Sequence, residues 1–198
     1  MRTRLLLTAV AVLCGFWGEA AAQQVVSLGE AGRVLSCFYE CKLKRETWLE
    51  MTTLMLVNQR PSTPLTADIL FVNGNERPFA STTISLSPED LDELNVCETL
   101  AQHPLPFPPP PAGLMEVVLS GPPQGPHDGA YGWIKNLVGR FKRPSIEPVE
   151  TGKVDGIGKT QCRLVPPTVA TPDEISRKLS QVPPERRVKP ILIEKTSE

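Results

Sequence analysis

Arg33-Val34-Leu35-Ser36-Cys37-Phe38-Tyr39-Glu40-Cys41-Lys42-Leu43 is the stretch from which the fold can be read. Leu35, Cys37, Tyr39, Cys41 and Leu43 alternate with Val34, Ser36, Phe38 and Glu40, and the first set is the more apolar, as a strand with one buried face requires. On such a strand Cys37 and Cys41 share a face but stand four residues apart, about 13 Å at ~3.3 Å per residue. A disulfide needs Cα atoms within roughly 7 Å, so the two cysteines do not bond each other. Their partners are Cys97 and Cys162, in either of two arrangements, and the strand is clipped to the middle and the end of the domain.

Of the five cysteines Cys14 lies in the apolar N-terminal run, and the four that follow are an even set that suits an oxidising compartment; the N-terminus reads the same way. Arg2 and Arg4 precede an apolar run from Leu5 to Trp17, and Ala20-Ala21-Ala22 supplies a small-residue cleavage site before Gln23. Residues 1–22 are therefore expected to be a secretory signal, since the apolar run is shorter than the ~20 residues that span a bilayer. No later stretch is apolar enough to cross one, so the mature chain carries no transmembrane segment. Zinc is the rival use of Cys37 and Cys41, but Cys97 and Cys162 stand alone and no Cys-x2-Cys repeat supports them.

The 198 residues allow one domain with appendages. A formal net charge of -1 gives no field that would attract nucleic acid. The 21 prolines are about twice the number that ~5% usage gives, and their clusters mark connectors. Residues 23–32 form a lead-in, and 33–166 the domain proper. Within it, residues 103–113, with Pro104, Pro106 and Pro108 to Pro111, cannot pair in a central sheet and are expected to arch over it as polyproline II. Residues 167–198 are Pro-interrupted and polar, with one short helix at Pro172 to Leu179, and are expected to be a mobile tail.

Along the domain, strands are expected at 34–43, 48–57, 65–72, 77–86, 114–119, 130–138 and 154–165. Asn73-Gly74 suits a two-residue type I′ hairpin turn. Ser87-Pro88 followed by acids predicts a helical turn over 88–94. Seven to eight short antiparallel strands with almost no helix give an all-β fold, an immunoglobulin-like antiparallel β-sandwich with a Pro-rich arch and a mobile C-terminal tail. Its core is predicted to contain Tyr39, Leu54, Leu56, Ile69, Phe71, Ile84, Val117, Leu119, Trp133 and Ile157, with Trp133 as the central aromatic.

The run Met51 to Asn58, then Ala67 to Gly74, then Ile84-Ser85-Leu86-Ser87-Pro88 resembles the opening strands of small exported bacterial β-sandwich domains of the immunoglobulin or fibronectin type III kind. The likeness is architectural and spans roughly residues 33–165. It implies a fold shared by adhesion, surface-display and assembly modules and implies no activity.

Catalytic patterns fail on inspection. Asp155-Gly156-Ile157-Gly158-Lys159-Thr160 ends like a phosphate loop, but Lys153 stands where that pattern needs glycine, and a strand rather than a helix follows. Glu89, Asp90, Asp92 and Glu93 are expected to form a solvated face rather than a calcium site or an acid pair. His103 and His127, the two histidines, lie in proline-rich loops, and His127 beside Asp128 does not make a triad. No catalytic residue, metal ligand or cofactor is assigned. The best binding candidate is the set of basic residues interleaved with aromatics, Trp133, Lys135, Arg140, Lys142 and Arg143, which suits a protein or cell-surface polysaccharide. The sequence thus predicts a secreted or periplasmic non-enzymatic module, structural, adhesive or partner-binding. The alternative is an exported carbohydrate-binding or hydrolytic accessory protein.

Overall fold

A computed structural model describes residues 33–75, 77–101, 110–120, 130–143, 149, 154–165 and 171–193. The expected signal and lead-in, most of the Pro-rich arch and both histidines lie outside these residues.

Among the described residues ten strands form in chain order: β1 (Arg33–Glu40), β2 (Lys42–Lys44), β3 (Thr47–Asn58), β4 (Leu65–Val72), β5 (Pro78–Leu86), β6 (Asp90–Asn95), β7 (Ala112–Ser120), β8 (Ala130–Lys142), β9 (Val154–Gln161) and β10 (Arg163–Leu164). Two α-helices, α1 (Val96–Ala101) and α2 (Pro172–Ser180), complete the set with a 3-10 turn at Pro184–Arg186. One sheet has the order β10-β1-β7-β4-β5, and the other β2-β3-β8-β9 with β6 also paired to β3. Every strand pairing within them is antiparallel.

The count exceeds the expected seven to eight for a physical reason. The single strand expected at 34–43 breaks at Cys41, so that β1 lies in the first sheet and β2 in the second. The strand expected at 154–165 breaks at Cys162 in the same way, β9 belonging to the second sheet and β10 to the first. Both cysteines therefore sit at corners where the chain changes sheet, a place where a strand must bend. Each corner is pinned: Cys37 bonds Cys162 with Cα atoms 4.7 Å apart, and Cys41 bonds Cys97 at 5.5 Å. Alternation continues through a corner, and for that reason periodicity alone does not reveal it.

The third extra strand replaces the helical turn expected over 88–94. Glu89 takes a left-handed conformation (φ 52°), and β6 then pairs with β3 from Asn58↔Asp90 to Thr53↔Asn95. A long partner strand outweighs the local capping signal. The helix begins later, where the Asn95 side-chain oxygen accepts a hydrogen bond from the Glu98 N–H at 3.1 Å, an N-cap for α1. The β4–β5 hairpin forms as expected but through a longer loop. Neither Asn73 nor Gly74 takes the left-handed φ that the expected type I′ turn requires. The Asn73 side-chain oxygen instead accepts from the N–H groups of Asn75 and Arg77, both at 3.0 Å, closing the turn as Asx side chains do.

One apolar cluster joins the two sheets. Leu35, Cys37, Tyr39, Ala67, Ile69, Phe71, Ile84, Met115, Val117 and Leu119 face Leu54, Leu56, Ile134 and their neighbours. Two predicted core residues are misplaced. Trp133 is half-buried because its neighbours Gly132 and Ile134 on β8 point inward, and Ile157, opposite buried Leu137, is 57% exposed because β9 is the edge strand of its sheet among the described residues. A Cβ at Gly132 would stand 3.0 Å from a Leu35 methyl and 3.4 Å from the Cys162 sulfur, so Gly132 is fixed inside and Trp133 beside it must face out. Among the described residues the buried aromatics are Tyr39, Phe71, Trp48 and Phe141.

The region expected to be a mobile tail is largely built into the molecule. Thr171 caps α2 by accepting from the Glu174 N–H, with Pro172 in the first turn. Ile175 and Val182 cover Val34, Leu70, Val72 and Val118 on the outer face of the first sheet, and Lys178 pairs with Glu116 at 3.3 Å. Farther on, the Val188 N–H donates to the Ser81 carbonyl on β5 at 2.8 Å. The Asn95 N–H donates to the Ile191 carbonyl, and the Ile193 N–H to the Glu93 carbonyl, both at 2.8 Å, so this segment adds to the edge of β6.

Tyr39 sits opposite Gly113 in the β1–β7 register and packs edge-on against Phe71, ring centroids 6.1 Å apart. A Cβ at Gly113 would lie 2.6 Å from the Val72 carbonyl and 2.8 Å from the Tyr39 hydroxyl, so only glycine leaves room for the phenol. That hydroxyl is buried and has no hydrogen-bond partner among the described residues. Burial pushes its pKa upward, because the charged phenolate would lose its hydration. Since the folded pKa is raised, this residue's contribution is intact below the unfolded value of ~10 and is lost as pH rises above it. Tyr39→Phe is expected to gain about 1 kcal/mol at neutral pH, by removing an unpaired buried hydroxyl. The variant should also unfold less readily than the parent in urea above pH ~10.

Candidate functional site

The five residues singled out for binding do not converge. Val138 faces Glu50 and Gly139 follows a register shift, yet strand pairing continues to Phe141↔Trp48 and Lys142↔Thr47. Arg140 and Lys142 thus lie on an extended strand rather than in the loop expected from residue 139, and the register shift separates them from Trp133 and Lys135.

Trp133 and Lys135 occupy the outward face of the second sheet. Tyr131 joins them, its ring centroid 5.7 Å from that of Trp133 with a 32° tilt. Register places Leu91, Val57 and Tyr131 in one row, Glu93, Met55, Trp133 and Gln161 in the next, and Asn95, Thr53, Lys135 and Lys159 in a third. Lys135 is held at 3.4 Å by Glu93, which also accepts from the Thr53 hydroxyl. Glu93 is therefore a sheet-surface anchor and not part of a helical acid face. Beside this aromatic pair, Val57, Asn58, Gln59, Glu89, Asp90 and Leu91 line an open depression of about 340 Å³.

Arg143 faces inward. Its Nε donates to Glu98 at 2.8 Å, its terminal nitrogen donates to the second carboxylate oxygen at 3.2 Å, and its guanidinium lies 5.4 Å over the Trp48 ring. Trp48 Nε1 also donates to Glu98, whose side chain is only 2% exposed. This Trp48–Glu98–Arg143 cluster closes the end of the core above α1. Three good donors for one buried carboxylate explain why a charge is tolerated there.

Arg140 contributes to a different feature. With Lys44, Arg45, Thr47 and Leu49 it lines a depression of about 440 Å³ at the β2–β3 turn. Arg45 adopts φ 58° in that two-residue turn. In the sequence Lys42 to Glu46 reads as a solvated turn, but residues 42–44 form β2 and only Arg45 and Glu46 turn; their approach to Arg140 depends on β3 pairing with both β2 and β8.

The remaining surface feature is β9. It forms the free edge of the second sheet among the described residues and is exposed along nearly all of its length. Val138, Val154 and Ile157 stand in solvent around it. Among the described residues, no three His, Cys, Asp or Glu side chains are grouped to hold a metal, and no helix is long and apolar enough to cross a membrane.

No family model matches the chain, and no curated protein matches it. Among solved structures it is similar to the crystal structure of Thermotoga maritima 1070, at 9% identity and a TM-score of 0.40, over 69% of this chain and 95% of that one. That likeness is too slight to assign a fold family or an activity.

Proposed function

We propose that the chain is an exported β-sandwich of the immunoglobulin type that acts without catalysis, as a structural or partner-binding module. The two disulfides are compatible with export. The observation that carries the binding role is β9, a long exposed edge strand. Unpaired edges are either blunted or used, because their free N–H and C=O groups are a template for another strand. Here neither proline nor a covering element among the described residues blunts it.

Binding of the labelled, oxidised protein to the envelopes of the cells that export it tests this reading. Saturable binding lost in Ile157→Pro, which removes an N–H from β9 and bends it, is the expected result. Binding indifferent to that substitution would count against an edge-mediated module.

A second reading has its own observations. Tyr131 with Trp133 offers an aromatic platform, and Lys44, Arg45 and Arg140 line a basic depression, features that suit an anionic polysaccharide. Under this alternative, an exported carbohydrate-binding accessory protein, a glycan array shows hits that Lys44→Glu/Arg45→Glu abolishes. The first reading expects an array without hits.

A further inference from the structure

The partner of the β9 edge can be specified from its own side chains, given the edge-binding role proposed above. Within Val154-Asp155-Gly156-Ile157-Gly158-Lys159-Thr160-Gln161, Asp155 and Lys159 stand two residues either side of Ile157 on one face, with glycines between. An antiparallel copy of the same strand, related by a twofold axis at Ile157, places Asp155 opposite Lys159 of the second copy and Lys159 opposite its Asp155. Ile157 meets its own equivalent, and Gly156 meets Gly158. We infer that the chain forms a symmetric homodimer in which β9 pairs with β9 of a second copy, joining the two second sheets into one.

Three features of the single chain agree with this pairing. Asp155 and Lys159 are exposed and make no ion pair among the described residues. Lys159 lies directly opposite Lys135 on β8, and like charges facing each other across a sheet are destabilising. Glu93 holds Lys135, whereas nothing described offsets Lys159. Asp155 of a second copy would. Finally, Ile157 ends a row that runs from buried Met51 through buried Leu137. Pairing extends that apolar row across the axis in place of leaving Ile157 in water.

The close approach is also sterically open. A Cβ at Gly158 would meet nothing within 4 Å, and one at Gly156 would meet only Val138 at 4.0 Å. An isologous contact of this kind closes on itself, so it yields a dimer and not a fibre.

Charge exchange tests the register. Sedimentation of the oxidised full chain over a concentration series into the high micromolar range should show monomer and dimer in exchange. Asp155→Lys places lysines opposite lysines, and Lys159→Asp places aspartates opposite aspartates. Each is expected to weaken self-association by about tenfold, since the two exposed attractive pairs across the axis become repulsive. An equimolar mixture of the two variants should associate again as a heterodimer, and the Asp155→Lys/Lys159→Asp chain as a homodimer. Neither substitution touches the core, and circular dichroism will verify that each variant is folded. A wild-type chain that remains monomeric throughout, or single variants that dimerise as the parent does, overturns the inference. Monomeric behaviour together with envelope binding that Ile157→Pro abolishes would retire the homodimer and leave the edge-binding module standing.

Discussion

Alanine at both Cys37 and Cys162 is expected to lower the unfolding free energy by about 5 kcal/mol, and alanine at both Cys41 and Cys97 by about 4 kcal/mol. The difference follows from the spans closed, 125 and 56 residues, because a longer loop restricts the unfolded chain more. Together these losses approach the entire stability of an ordinary domain, ~5 to 15 kcal/mol. Structure reinforces the chain-entropy argument. Each bridge holds a corner at which the chain passes between sheets, so its loss frees the short strands β2 and β10 to leave their partners. Guanidinium unfolding followed by tryptophan emission, with and without reductant, measures the effect. Reduction should abolish the cooperative transition or move it far to lower denaturant. A shift of less than about 1 kcal/mol would show that the bridges are incidental.

Glu98→Ala is expected to cost about 3 kcal/mol, at the low end for a broken buried pair because the Arg143 side chain is 30% exposed and can recover water. Trp48 cannot, since it is buried and its indole N–H would lose its acceptor. Glu98→Gln, which keeps an oxygen for that N–H, should cost about half as much as the alanine change. Adding Arg143→Ala to Glu98→Ala should cost less than the sum of the two, the mark of a shared network. Urea unfolding of the four proteins gives the cycle. Strict additivity would mean that Arg143 stabilises only by stacking on the Trp48 ring.

Much of the sheet structure was legible because alternation is a local signal. Leu65–Val72 is a strand over its predicted span, and the core positions on β1, β3, β4, β5 and β7 follow from parity alone. Parity also explains the failures. On β8 the pattern Tyr131-Gly132-Trp133-Ile134 offers a large aromatic on one face and a glycine on the other, and the choice is made by Leu35 and Cys162 across the core, which no local window contains. Corners at Cys41 and Cys162 are invisible for the same reason. The geometric exclusion of a Cys37–Cys41 bond held because it needed only the rise of a strand.

The candidate site was less legible. Trp133 and Lys135 share a face by the period of two, but Arg143 is recruited by Glu98, 45 residues away, and Arg140 lines a depression at the β2–β3 turn. A basic run names charges; only the register says which of them point the same way. Likewise the C-terminal segment reads as polar and Pro-broken, and the apolar residues it buries, Ile175, Val182 and Val188, are too widely spaced to announce that they cover a sheet and its edges.

Disulfides pin both sheet-changing corners of the β fold, and the proposed export would place those bonds in an oxidising compartment. Non-reducing peptide mapping of the protein recovered from outside the cytoplasm tests this most directly. It should yield Cys37 linked to Cys162 and Cys41 linked to Cys97, with a mature N-terminus after Ala22. Free thiols at Cys37 and Cys41, or a peptide in which those two are bonded to each other, would contradict it.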